Sequence, residues 1–262
     1  MNTHPGTRVK AFPIKLLSRA GLENWESYKH APVIAVLYDV HGNLQALDAV
    51  LADARRAGAS RWVLGGDYAL FGAWPAETVA RLRELEPATW IRGNVDRWAG
   101  DPAAAPDDSS LQAAIADVRA ALGDPLADEL GRLPAEAEVA GARFVHASPV
   151  SDVRAFAPEP NDEEEELLAG TTHPRLVFGH IHVQFRRPAV AGDVELVNPG
   201  SVGMPLDRDP RAAYALIEPD TRELELRRVE YDTAATIAKL RETYGEREWA
   251  PTILKRLETQ QP

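Results

Sequence analysis

Five short apolar runs in this chain each stop at an aspartate, asparagine or histidine, and that recurrence constrains the fold more than any other feature. Val33-Ile34-Ala35-Val36-Leu37 leads into Asp39-Val40-His41-Gly42-Asn43. Trp62-Val63-Leu64 leads into Gly65-Gly66-Asp67, and Trp90-Ile91 into Gly93-Asn94-Val95-Asp96. Phe144-Val145 is followed by His146, and Leu176-Val177-Phe178 by Gly179-His180-Ile181-His182. Short runs rich in β-branched and aromatic residues predict buried strands. Polar groups at their ends are what a sheet presents when a site is built along its carboxyl edge. Helical patterns separate the first three runs. Asn43 stands where an N-cap belongs, Leu44, Leu47, Leu51 and Ala54 recur on one face, and Gly58 stops the pattern. Pro75 opens a second helix carrying Val79, Leu82 and Leu85, and Pro87 ends it. This alternation calls for right-handed parallel crossovers.

Taken singly, each polar cluster has an ordinary reading. Asp39 and His41 suit a turn carboxylate and a surface imidazole, Asp67 a Gly-Gly-Asp turn, and Asn94 another turn. His146 suits a hydrogen-bonded core histidine, and His180 with His182 an exposed strand end. Read jointly, imidazole, carboxylate and amide oxygen without thiolate form the ligand set of a hydrolytic site for Mn, Fe, Zn or Ni. The chain has no cysteine to supply a thiolate or a disulfide.

In this order and at these spacings the clusters resemble the calcineurin-like metallophosphoesterase superfamily, in particular its small prokaryotic phosphodiesterase-type members. That family's pattern runs D-x-H, G-D, G-N-x-D, a lone H, then G-H-x-H. Asn198-Pro199-Gly200-Ser201 resembles the N-P-G-S loop of the small members, and the likeness covers roughly residues 32 to 230. The resemblance implies a mixed α/β fold, a two-sheet β-sandwich flanked by helices on both outer faces. It also implies two divalent metal ions, with manganese first. One would be held by Asp39, His41 and His182, the second by Asn94, His146 and His180, and Asp67 would bridge them. The activity implied is hydrolysis of phosphoesters, chiefly phosphodiesters of nucleotide-like or small organic substrates, by a hydroxide bridging the metals. Asp67, Asn94 and Asp96 are the catalytic candidates. Val95 departs from the pattern, because many members carry a histidine there that protonates the leaving oxygen or binds phosphate. Two other readings stay open: a non-catalytic scaffold on the same fold, and a protein Ser/Thr phosphatase, which Asp96 weakens because those enzymes resemble R-G-N-H-E.

The remaining features bear on partners and organisation. A net charge of −11 argues against binding long nucleic acid. No apolar run approaches the roughly 18 residues needed to cross a bilayer, and no secretory signal is read, so a cytoplasmic protein with a small phosphoester substrate is expected. Homo-oligomerisation stays open. Residues 1–31 are an N-terminal extension of uncertain structure, and 32–262 the metallophosphoesterase domain. Within it, 100–110 reads as a linker and 111–122 and 125–132 as helices, a cap-like insertion at about 100–133. Later strands fall at about 136–140, 142–146, 175–178, 183–190, 193–197, 212–218 and 222–230, several short-linked as in an antiparallel second sheet. Helices at about 232–244 and 247–259 close the chain. Arg208 and Arg211 are candidates for binding substrate phosphate, with exposed salt bridges as the alternative. Glu163–Glu166 reads as a solvated helix start, and Trp74, Trp90 and Trp98 as core aromatics that could also stack a base.

Overall fold

In the computed structural model the described residues are 32–262; the expectation for 1–31 falls outside them. The first half alternates β1 (Val33–Leu37), α1 (Leu44–Arg56), β2 (Ala59–Leu64), α2 (Pro75–Arg83), β3 (Ala88–Trp90) and α3 (Asn94–Gly100). Next come α4 (Ser109–Leu122) and α5 (Asp124–Gly131), then β4 (Glu136–Val139), β5 (Ala142–Val145), a single turn α6 (Glu164–Leu167), β6 (Arg175–Val177), β7 (Phe185–Pro188) and β8 (Glu195–Asn198). The last elements are β9 (Ala212–Ile217), β10 (Leu224–Val229), α7 (Thr233–Tyr244) and α8 (Ala250–Thr259). As expected, Asn43 caps α1, its side chain accepting from the Ala46 N–H at 3.1 Å.

Two five-stranded sheets face each other, one ordered β10-β9-β1-β2-β3 and the other β4-β5-β6-β8-β7. β1, β2 and β3 pair in parallel, while β9 runs antiparallel to β1. The second sheet is not antiparallel throughout, as its short-linked strands suggested. Its hairpin partners β4/β5 and β7/β8 are antiparallel, but β5, β6 and β8 are parallel. A run of apolar residues carries no direction. The connection from β5 to β6 spans residues 146–174, long enough for a crossover, and that length permits the parallel pairing.

Period-two alternation places the core. Along β1, Ala35 and Leu37 face the helices, whereas Ile34 and Val36 meet Phe144, Val177 and Val197 between the sheets. Both faces are buried, which explains why the run is apolar without alternation. The helical layer over the first sheet takes side chains from α1, α2, α4, α5, α7 and α8. Over the second sheet, Phe156, Leu167 and Leu168 cover Leu176, Phe178 and Leu196, so that face is closed mostly by a loop with one helical turn. Glu164 in that turn is buried rather than solvated. Its carboxylate meets Arg187 at 2.6 Å and accepts the Val190 N–H, which holds it below the usual carboxylate range against the cost of burial.

The insertion packs its inner stripe onto the body. Ile115, Val118 and Leu130 enter the helical-layer core, and the Trp249 indole donates to Asp117 at 2.9 Å. α5 meets α3 at Gly100 and Gly131, where a Cβ on either would lie 2.8 Å from the other's Cα. Through that contact the insertion abuts the helix that begins with Asn94.

Candidate metal centre

The carboxyl ends of β1, β2, β3, β5 and β6 converge, and the seven expected side chains meet there. Asp39, His41, Asp67, Asn94, His146 and His182 are buried and His180 partly so. Their ligating atoms form two groups, Asp39 with His41 and His182, and Asp67 with His146 and His180, each within 4.8 Å. Asn94 Oδ1 lies 3.0 Å from His146 Nε2 and 2.9 Å from His180 Nδ1, joining the second group. Asp67 Oδ2 faces both groups, 3.4 Å from His146 Nε2 and 3.7 Å from His41 Nε2.

Ring orientation is fixed from behind. Nδ1 of His41, His146 and His182 donates to the carbonyls of Leu70, Gly65 and Met204 at 2.9, 2.9 and 2.7 Å. That sets the tautomer and leaves each Nε2 as an inward lone pair. Glycines let the backbone close in on the carboxylates. A Cβ at Gly93 would sit 1.9 Å from Asp67 Oδ1, and one at Gly179 would sit 2.6 Å from Asp39 Oδ2. Asp39, His41, Asp67, His180 and His182 all have left-handed backbone, with φ between 45° and 69°. Non-glycine residues adopt it at a cost, and at a strand end it turns successive side chains into one small volume.

The donor set fits a divalent cation. Asp39 Oδ1 is fully buried with no hydrogen-bond partner, and His41 Nε2 lies 3.1 Å from His182 Nε2. Burial first, then the negative charges of Asp67 and Asp96, hold Asp39 well above the usual carboxylate range, and burial followed by the charge of His41 pulls His182 down. His180 falls to about 4, by burial first and then by the charge of His146. His146 goes the other way: burial opposes its charge, but Asp67 and Asp39 raise it to about 10. Two carboxylates and four imidazoles crowd together here with a protonated His146 as their one counter-charge among the described residues, a donor set that a hard or borderline metal ion would complete by displacing that proton.

Asp96 plays another part. Its Oδ2 accepts from the backbone N–H groups of Asp67 and Gly93 at 2.7 and 2.8 Å, and its Oδ1 from Tyr68 at 3.1 Å. The carboxylate thus ties the Asp67 turn to the start of α3. Asn198 and Ser201 are buried behind the site, where no signal beyond the N-P-G-S likeness marked them as supports. Asn198 Nδ2 donates to Gly179 O at 2.9 Å and Ser201 Oγ to Asp39 O at 2.7 Å. The N–H groups of Gly200, Val202, Gly203 and Met204 all have protein acceptors, so this turn is a brace with none of these four left to hold an anion.

Arg208 and Arg211 are exposed and share no hydrogen bond with the seven residues; Arg211 pairs with Asp209 at 2.7 Å. Val95 is buried in the helical-layer core. Trp90 packs edge-on to Tyr68 with ring centroids 5.0 Å apart, and Trp74 and Trp98 pack against the same core. Beside His146 a cleft of about 390 Å³ is lined by Arg92, Arg97, Ser148, Ser151 and Asp152, with Arg97 held to Asp152 at 2.6 and 2.8 Å.

Two facing sheets with a buried carboxylate–imidazole–amide cluster at their strand ends define the metallophosphoesterase architecture. Residues 33–222 match the calcineurin-like phosphoesterase superfamily domain, and the chain belongs to that family. An uncharacterized protein of Methanocaldococcus jannaschii is 29% identical over 236 residues, covering 79% of this chain and 91% of its own. A metallophosphoesterase from Sphaerobacter thermophilus superposes with a TM-score of 0.73 at 28% identity, over 88% of this chain and 99% of its own. A hypothetical protein from Pyrococcus horikoshii shares the fold, with a TM-score of 0.72 at 22% identity over 86% and 97%. Among the described residues no helix is long and apolar enough to cross a membrane.

Proposed function

We propose that the protein hydrolyses phosphoesters, phosphodiesters of small organic or nucleotide-like compounds above all, with two divalent cations, manganese first, as its cofactor. The observation that carries this reading is the position of Asp67 Oδ2 between two triads of buried ligand atoms. Asp39, His41 and His182 would hold one cation, Asn94, His146 and His180 the other, and Asp67 would serve both. Such ions neutralise charge on a phosphoryl group and lower the pKa of water. The protein's own part is orientation. Backbone carbonyls aim the imidazoles, Asp96 fixes the Asp67 turn, and Asn198 and Ser201 hold the backbone at Gly179 and Asp39. The ester would lie in the cleft beside His146, where Arg92 offers positive charge while Arg97 is taken up by Asp152.

The test is turnover of bis-p-nitrophenyl phosphate by protein loaded with Mn²⁺. Activity should vanish with chelator and return with metal. Asp67→Asn should lose at least about 100-fold, since even the partners of metal ligands cost 10–100-fold, and His41→Ala should be partly rescued by excess metal. A protein that binds two metals yet turns over neither diesters nor monoesters would be a scaffold on this fold.

A further inference from the structure

Among the described residues, Asn94 is the one candidate ligand whose side chain has no hydrogen bond to backbone. Carbonyls hold His41, His146 and His182 from behind. Asp39 Oδ2 accepts the His180 N–H, Asp67 Oδ1 accepts the Val95 N–H, and the His180 ring bonds to the backbone of Val153. The Asn94 amide meets only His146 and His180. Its position must therefore come from α3, which it opens, while His146 stands at the end of β5. Asp96 pins the start of α3 to the Asp67 turn, but that bond does not reach the β5 side of the group.

Arg97 does reach it. One turn after Asn94, its Nε and Nη2 donate to the two oxygens of Asp152 at 2.6 and 2.8 Å, and Asp152 lies in the turn that follows His146. Apart from the Asn94–His146 contact, this is the one hydrogen bond or ion pair among the described residues that joins α3 to residues 146–153. Exposed ion pairs contribute little, but this pair is forked and its side chains are only 27% and 23% exposed, conditions under which such pairs hold geometry. The turn it grips is itself tied. Ser148 and Ser151 exchange backbone bonds at 2.9 and 3.3 Å, and Ser151 Oγ accepts the N–H groups of Val153 and Arg154 at 3.1 Å. The hold on Asp152 is thus carried back to His146 and forward to Val153, against which His180 is set. Arg97, Asp152, Ser148 and Ser151 line the cleft beside His146, so the pair stands at the wall of the site.

Resting on the two-cation reading, we propose that Arg97 and Asp152 are positioning residues. Their forked ion pair holds α3 against the turn after β5, and so keeps Asn94 and His180 in place to share the second cation with His146. The two cation sites are then unequal. The group of Asp39, His41 and His182 rests on Leu70, Met204 and Ser201, none of which touches the pair, whereas the second group depends on a partly exposed clasp. No bond is made or broken at Arg97 or Asp152.

The experiment measures Mn²⁺ binding to the full chain by titration calorimetry. Asp152→Asn should weaken one of the two binding events by at least about tenfold, as loss of a partner of a metal ligand does, and leave the other within about twofold, the scatter of independent sites. His41→Ala and His180→Ala identify the event. Asp152→Asn should weaken the binding that survives His41→Ala and spare the binding that survives His180→Ala. Arg97→Lys, which keeps the charge without the fork, should fall between wild type and Asp152→Asn, and it carries the test should the metal-free Asp152→Asn protein fail to show a wild-type Tm. Equal weakening of both events would reveal a general structural role, and no weakening of either a surface pair without consequence; each result overturns the assignment. Turnover of bis-p-nitrophenyl phosphate by the same wild-type preparation separates the two readings. An active protein whose Mn²⁺ binding ignores Asp152 keeps the hydrolase and loses the clasp. An inactive one in which a single cation site depends on Asp152 keeps the clasp and loses the hydrolase.

Discussion

Adding one methyl group at Gly93 should empty half of the metal centre while leaving the fold in place. The backbone there is ordinary, with φ −94° and ψ −177°, so alanine incurs no conformational strain. The penalty is steric. The new Cβ would lie 1.9 Å from Asp67 Oδ1 and 2.7 Å from the Asp67 nitrogen. Restoring ordinary contact requires the carboxylate to retreat by about 1.5 Å, and Asp67 Oδ1 would then lose the Val95 N–H that it accepts at 3.1 Å. Overpacking of this kind costs roughly 1–3 kcal/mol. In a domain of this size that corresponds to a fall in Tm of roughly 2–12 °C, short of unfolding. Metal sites tolerate only about 0.2 Å, and a displacement of about 1 Å near the reacting groups costs about 100-fold in rate. Gly93→Ala should therefore fold, bind one Mn²⁺ or none by elemental analysis, and lose at least about 100-fold in kcat on bis-p-nitrophenyl phosphate. Two tightly bound metals with wild-type kcat would refute the claim that the glycine exists to seat Asp67.

Three further outcomes follow from the packing. Val95→His should not supply a proton donor, because position 95 lies in the apolar core; thermal denaturation should show a loss of roughly 1–3 kcal/mol, and no gain should appear on esters with high-pKa leaving groups. Asp53 accepts from Arg227 Nε at 2.9 Å and the Tyr214 hydroxyl at 2.7 Å; burial works against its charge, but those bonds hold its pKa below the usual carboxylate value. Its contribution is thus present above the unfolded pKa and lost as pH falls through the lower folded one. Asp53→Asn should cost roughly 1–3 kcal/mol at neutral pH, and the difference from wild type should fade in acid; a pH-independent difference in urea titrations would contradict this. Glu164→Ala strands the part-buried Arg187 and should cost roughly 1–3 kcal/mol by the same method, and a cost below about 0.5 kcal/mol would show the pair to be idle.

The cluster of candidate ligands was legible because its chemistry is local. Each of the seven side chains sits within a few residues of an apolar run, and the glycines mark where backbone meets carboxylate. The helices were legible from caps such as Asn43 and from apolar faces. What failed was whatever depends on distant partners. The buried state of Glu164 is set by Arg187, far along the chain, and the acidic run around it gives the opposite impression. Strand direction in the second sheet depends on the length of the connection after His146, not on the strands themselves.

The left-handed backbone at five of the seven candidate ligand positions has an evolutionary consequence. Each such residue costs roughly 1–2 kcal/mol relative to glycine, so the fold bears a permanent load that only function justifies. If the proposed hydrolysis holds, a descendant released from it would gain stability by placing glycine or asparagine at positions 39, 41, 67, 180 or 182, and drift should run in that direction. Retirement of this centre would then leave a recognisable scar: a more heat-resistant protein whose strand ends read Gly or Asn where this one reads Asp or His.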